Sequence, residues 1–93
     1  MLSNLRYSNG EYEIKYTRYP NHRRYRVQLS VDPDYHTHMR TLKEAVDLAN
    51  FAKYQEIPDK ASPDYLESLL RVVRDEKFRK KIRRTMDRRY HGN

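Results

Sequence analysis

Residues 23–31, Arg23-Arg24-Tyr25-Arg26-Val27-Gln28-Leu29-Ser30-Val31, alternate in two senses at once. Tyr25, Val27, Leu29 and Val31 are apolar, and Arg24, Arg26, Gln28 and Ser30 stand between them. Successive side chains of a strand point to opposite faces, so the stretch predicts a strand with one greasy face and one cationic, hydrogen-bonding face. Upstream, Glu11 to Tyr19 alternates in the same way, Tyr12, Ile14 and Tyr16 against Glu13, Lys15 and Thr17. Pro20-Asn21-His22 reads as the turn between the two. Downstream, Asp32-Pro33-Asp34 marks a further turn, and Tyr35 to Arg40 alternates again as a short third strand. Three neighbouring strands joined by short turns predict an antiparallel meander.

Residues 1–10, ending in Ser8-Asn9-Gly10, have no periodicity and read as a flexible tail and turn. Past the meander, Thr41-Leu42-Lys43-Glu44 matches a capping box, and Leu42, Ala45, Val46, Ala49 and Ala52 follow at helical spacing. This helix is expected to cover the greasy face of the sheet. Ser62-Pro63-Asp64 starts another helix, with serine as N-cap and proline where its missing N–H costs nothing. Its apolar stripe is Leu66, Leu69, Leu70 and Val73, and after Asp75 the stripe moves around the axis to Phe78, Ile82 and Met86. A break near Asp75-Glu76 accounts for the shift better than a single straight helix touching two surfaces. The expected architecture is α+β: a three-stranded antiparallel sheet packed on one helix over residues 11–56, then a basic helical extension over 62–93.

The chain has 93 residues and no cysteine, which leaves a modest core without disulfides or a thiolate metal site. No apolar run approaches the roughly 20 residues that cross a bilayer, and the first residues lack the apolar centre of a secretory signal. A soluble, cytoplasmic protein is expected. Twenty Lys and Arg against thirteen Asp and Glu leave a net charge of +7, and the excess is uneven. Residues 1–61 carry +2 and residues 62–93 carry +5. Arginine outnumbers lysine thirteen to seven, and guanidinium groups bind phosphate bidentately and stack on flat groups. A small, basic, arginine- and tyrosine-rich chain favours a polyanionic partner.

One helix cannot cover both faces of a sheet, so the second face is expected to stay open. It would carry Lys15, Thr17 and Tyr19, then Arg24, Arg26, Gln28 and Ser30, then His36, His38 and Arg40. Arg and Lys address guanine acceptors or phosphate oxygens, and Gln and Thr address adenine, phosphate or the thymine methyl. An ordinary solvated sheet face mixes signs, whereas acids occur here only at the start of strand one, as Glu11 and Glu13.

Three strands followed by a helix opening TLKEAVDLANFA resemble the APETALA-type DNA-binding domain, and the arm-binding domain of phage and transposon tyrosine recombinases. Arg24-Tyr25-Arg26-Val27-Gln28-Leu29 matches the basic–aromatic–x–aliphatic–x–aliphatic second strand of these families, and Thr41-Leu42-Lys43-Glu44-Ala45 matches their helix start. The likeness spans residues 11–54. Tyr25 replaces the usual tryptophan, and His38-Met39-Arg40 replaces the glycine–aromatic pair before the helix. The resemblance implies a sheet in the major groove of double-stranded DNA, with contacts from Lys15, Thr17, Arg24, Arg26 and Gln28 and with Arg40 at the rim.

Lys77–Arg89 packs eight basic residues, and from Glu76 onward there are only two acids. On a helix Arg79, Lys80, Arg83 and Arg84 share a flank, and they are the expected phosphate contacts. His36 and His38 share a strand face without an evident third ligand, so no metal is expected. Neither a nucleophilic triad, a carboxylate pair nor a glycine-rich phosphate loop is present, so no cofactor and no catalysis are expected. The sequence therefore predicts a small DNA-binding regulator or recombination accessory of a phage or mobile element. Its rival is a phage-encoded protein–protein inhibitor, of host-takeover or anti-CRISPR type, that blocks a nucleic-acid-binding enzyme. RNA is a third partner class, disfavoured because the tyrosines mostly fall on the face expected to be buried.

Overall fold

A computed structural model of the chain describes residues 4–18 and 22–91. Its sheet has four antiparallel strands in sequential order: β1 (Leu5–Ser8), β2 (Tyr12–Tyr16), β3 (Tyr25–Leu29) and β4 (Asp32–Met39). Three helices follow: α1 (Leu42–Tyr54), α2 (Pro63–Val72) and α3 (Glu76–Met86), the last running into a π-helical turn over Asp87–His91.

The α+β class is as read from the sequence, but the strand count is four, not three. The extra strand, β1, lies in the stretch read as a tail. A bulge hides it: Leu5 pairs with Lys15 but Tyr7 pairs with Ile14, so two residues of β1 advance against one of β2 and the period of two is lost. Asn9 then fixes the β1–β2 turn. Its Oδ1 accepts from the backbone N–H of Glu11 and Tyr12 at 3.1 and 2.8 Å, while its Nδ2 donates to Ala49 O and Asn50 Oδ1 on α1. Gly10, at φ +93°, supplies the left-handed residue this turn needs.

The β3–β4 hairpin also differs from its sequence reading. Leu29 pairs with Asp32, so Ser30 and Val31 form the turn, and Val31 is 75 % exposed instead of buried in the sheet. Asp32-Pro33-Asp34, read as a turn, opens β4. β4 is an edge strand, where a proline without an N–H leaves no ladder bond unmade. Tyr19, Pro20 and Asn21, read as the end of strand one and its turn, lie outside the described residues.

The helix starts follow the local chemistry. Thr41 Oγ1 accepts from Glu44 N at 3.1 Å, and Ser62 Oγ accepts from Tyr65 N at 3.1 Å with Pro63 next to it. Each such cap stabilises its helix by about 1 kcal/mol. The break near Asp75 is present. α2 stops at Val72, Val73 is extended, and Asp75 caps α3 through Phe78 N at 2.9 Å.

One buried cluster joins these elements. It contains Tyr12, Ile14, Val27, Leu29 and Met39 from the sheet and Ala45, Leu48, Ala49 and Ala52 from α1. Leu66, Leu69, Val72, Val73, Phe78 and Ile82 belong to the same cluster, so the division drawn after residue 61 does not divide the core. The Tyr12 hydroxyl donates to Val72 O at 3.0 Å, fastening the start of β2 to the end of α2. Burial raises the Tyr12 phenol well above its ordinary pKa, with Glu11 adding to the shift and Arg74 opposing it.

Candidate nucleic-acid interface

With one sheet face committed to this core, the register fixes what stands on the other. Glu13, Gln28 and His36 form one cross-strand row, and Lys15, Arg26 and His38 form the next. Neighbouring strands lie about 4.8 Å apart, within reach of long side chains, and these rows are wired together. Arg26 Nε donates to Gln28 Oε1 at 2.8 Å and its Nη2 donates to Pro33 O at 3.0 Å. Gln28 Nε2 in turn donates to Glu13 Oε1 at 3.5 Å, and Gln28 is only 6 % exposed. Of the six residues read as DNA contacts, Gln28 is thus enclosed and Arg26 is tethered along the sheet. Lys15 is half-buried, and its ammonium makes no hydrogen bond or ion pair among the described residues. Thr17 lies just past β2 and donates from Oγ1 to Arg24 O at 3.2 Å, strapping the two chain segments together. Arg40 is exposed beyond the end of β4, on a groove of about 130 Å³.

Arg24 leaves this set. Its Nη1 donates to the Tyr16 hydroxyl at 3.3 Å, and its Nε is buried without a described partner. Arg6 sits over the Tyr16 ring, 5.2 Å from the centroid, while Tyr25 meets the same ring edge-on at 5.4 Å. The Arg24 hydrogen bond lowers the Tyr16 pKa below the ordinary phenol value; desolvation opposes it, and the charges of Arg24, Arg18 and Arg6 reinforce it.

On α3 the four expected phosphate contacts divide. Arg79 Nη1 donates to Leu70 O at 2.6 Å and Val73 O at 2.8 Å, capping the end of α2 from the first turn of α3. This guanidinium bridges two helices through Nη1. Arg83 pairs with Glu76 at 3.6 Å, a surface contact of small energy. Lys80 and Arg84 are exposed and unpaired among the described residues, and so are Lys77 and Lys81. At about 100° per residue these four fall within an arc of about 100°, on the flank beside buried Phe78, Ile82 and Thr85. The two lysines missed in the sequence, Lys77 and Lys81, stand at i and i+4 on the flank that also carries Lys80 and Arg84.

A groove of about 440 Å³ runs between β4 and α2, lined by Arg23, His36, His38, Asp64, Glu67 and Arg71 among others. The two imidazoles meet edge-to-face at 5.4 Å, and burial lowers the His38 pKa, with His36 and Arg26 adding to the shift. Among the described residues no group of three His, Cys, Asp or Glu side chains could hold a metal ion. Nor, among them, is any helix long and apolar enough to cross a membrane. Comparison with protein-family models, with curated proteins and with solved structures finds no match to this chain.

Proposed function

We propose that the protein binds double-stranded DNA, with α3 on the phosphate backbone and the outer sheet face turned toward the groove. The observation that carries this reading is the α3 flank: Lys77, Lys80, Lys81 and Arg84 lie along about 10 Å of helix, exposed and without anionic partners among the described residues. Self-repulsion of four neighbouring cations is relieved when each displaces a counterion from a polyanion. Sequence reading on this model falls to Lys15, Arg40 and Arg26. Arg26 reaches a guanine by exchanging the acceptors Gln28 Oε1 and Pro33 O for O6 and N7. Such a protein serves as a cytoplasmic regulator or recombination accessory of a phage or mobile element, in line with the APETALA-type resemblance of residues 11–54.

One observation favours a second reading, inhibition of a partner protein. The β4–α2 groove mixes Arg23 and Arg71 with Asp64 and Glu67, a two-signed lining that suits a polypeptide better than a phosphate backbone. A mobility-shift titration with random duplex, single-stranded DNA and RNA at two salt concentrations separates the two. On the DNA reading the duplex shifts, and log affinity falls against log salt with a slope near −3.6, about −0.9 per phosphate contact for the four α3 cations. Absence of a shift with every nucleic acid overturns it in favour of the inhibitor.

A further inference from the structure

The Tyr16 end of the sheet gathers arginines, and among the described residues no carboxylate is paired with Arg18 or Arg24. The Tyr16 oxygen accepts from Arg24 Nη1, while its own O–H is donated to no described group. Every charged neighbour that perturbs this phenol is an arginine: Arg24, Arg18 and Arg6. The ion pairs of the described residues involve Lys43, Arg74 and Arg83, so neither Arg18 nor Arg24 is neutralised by a carboxylate. Arg24 is also held in place. Its Nε is buried, and its carbonyl accepts from Thr17 N at 2.7 Å and from Thr17 Oγ1. A fixed, partly desolvated guanidinium beside a free hydroxyl proton is the donor pair that planar and tetrahedral oxyanions use.

We propose that Tyr16, Arg24 and Arg18, with Arg6 over the ring, form a binding site for a phosphoryl group. The Tyr16 hydroxyl and Arg24 supply hydrogen bonds, Arg18 supplies exposed charge, and Arg6 closes the aromatic side. The site is separate from the α3 flank. Tyr12, which binds the end of α2, lies at the opposite end of β2, about 13 Å of strand away. The proposal therefore stands whether or not α3 grips DNA. The phosphoryl group belongs either to a nucleic-acid backbone or to a free phosphate or phosphomonoester.

Two-dimensional NMR of the full chain tests this, following backbone amides and arginine Nε–Hε groups while inorganic phosphate replaces chloride at constant ionic strength. Saturable shifts confined to Arg24, Arg18, Thr17, Tyr16 and Arg6 are expected. Arg24→Gln should weaken phosphate by about tenfold or more, as loss of a charged hydrogen bond does. Arg24→Lys keeps the charge without the planar fork and should lose most of that affinity too. Tyr16→Phe should lose less, and its unchanged α3 amides report that the fold is intact. Glutamine at Lys77, Lys80, Lys81 and Arg84 should leave the phosphate shifts as they are. A short duplex forms the second arm. If it shifts the same residues at concentrations below the phosphate range, the source is a nucleic-acid backbone. If phosphate acts and the duplex does not, the source is a small phosphate, and the DNA reading falls while this site remains. Unsaturable shifts, shifts spread over all cationic residues, or an unchanged response in Arg24→Gln overturn the proposal.

Discussion

The outer sheet face and the α3 flank are both rich in cations, yet they treat charge in opposite ways. On the sheet, strands about 4.8 Å apart bring every long side chain within reach of another. Arg26 accordingly binds Gln28 and the Pro33 carbonyl, and Gln28 reaches Glu13. On α3 the buried Phe78, Ile82 and Thr85 occupy one side, and Lys77, Lys80, Lys81 and Arg84 project from another with only solvent opposite. A cation in a sheet is a candidate for internal hydrogen bonding, whereas a cation on the outer flank of α3 stays exposed. On the proposed DNA reading, this contrast gives affinity to α3 and leaves the sheet with orientation and base preference.

The largest expected effect breaks the comparison if it fails. Glutamine at Lys77, Lys80, Lys81 and Arg84 together should lower duplex affinity by about two to three orders of magnitude near physiological salt and flatten the log–log salt slope by about three units or more. Fluorescence anisotropy across a salt series measures both. Retention of the parental slope would transfer the phosphate grip to the sheet.

Next in size is Arg79→Ala, which sets apart the one α3 guanidinium that faces inward. It strips the donor from Leu70 O and Val73 O, and urea unfolding should register a loss of about 1–3 kcal/mol. The salt slope of duplex binding should not move. A changed slope with unchanged stability would return Arg79 to the phosphate contacts. Arg26→Ala is smaller still, an affinity loss of several-fold that differs among duplex sequences because this side chain must leave protein acceptors to reach a base. Uniform weakening of all duplexes would make Arg26 a backbone contact instead.

These two arginines also show where the sequence was legible. Capping chemistry is local, so Thr41 and Ser62 announced α1 and α2, and the alternation of residues 12–16 and 25–29 announced the two central strands. β1 was hidden because its bulge breaks the alternation, and the β3–β4 turn was displaced because Pro33 and its aspartates sit in an edge strand, where proline does no harm. Within the candidate site, side-chain type located Lys80 and Arg84 but could not distinguish them from Arg79. Its two acceptors, Leu70 O and Val73 O, are backbone atoms exposed by the helix break six to nine residues earlier. Nor could alternation reveal Arg24 bound to Tyr16, since a strict strand would place the two on opposite faces.

The smallest effect concerns the sheet edge, and its sign follows from burial. The His38 imidazole, desolvated between β4 and the α2 groove and beside His36 and Arg26, has its pKa below the ordinary 6.5. Its neutral form is the one the fold prefers, so its contribution to stability is present above about pH 6.5. That contribution falls away as the pH drops from there through the folded value, because the unfolded chain takes up the proton first. Carboxylates on the facing helix, Asp64 and Glu67, line the same groove. Urea midpoints measured from pH 7.5 to pH 5 should therefore decline gently in the parent and less in His38→Gln. A midpoint that rises toward pH 5 would mean that those carboxylates, and not desolvation, govern the imidazole. The sheet edge would then join the rows of Glu13 and Arg26 as a place where charge is satisfied within the protein.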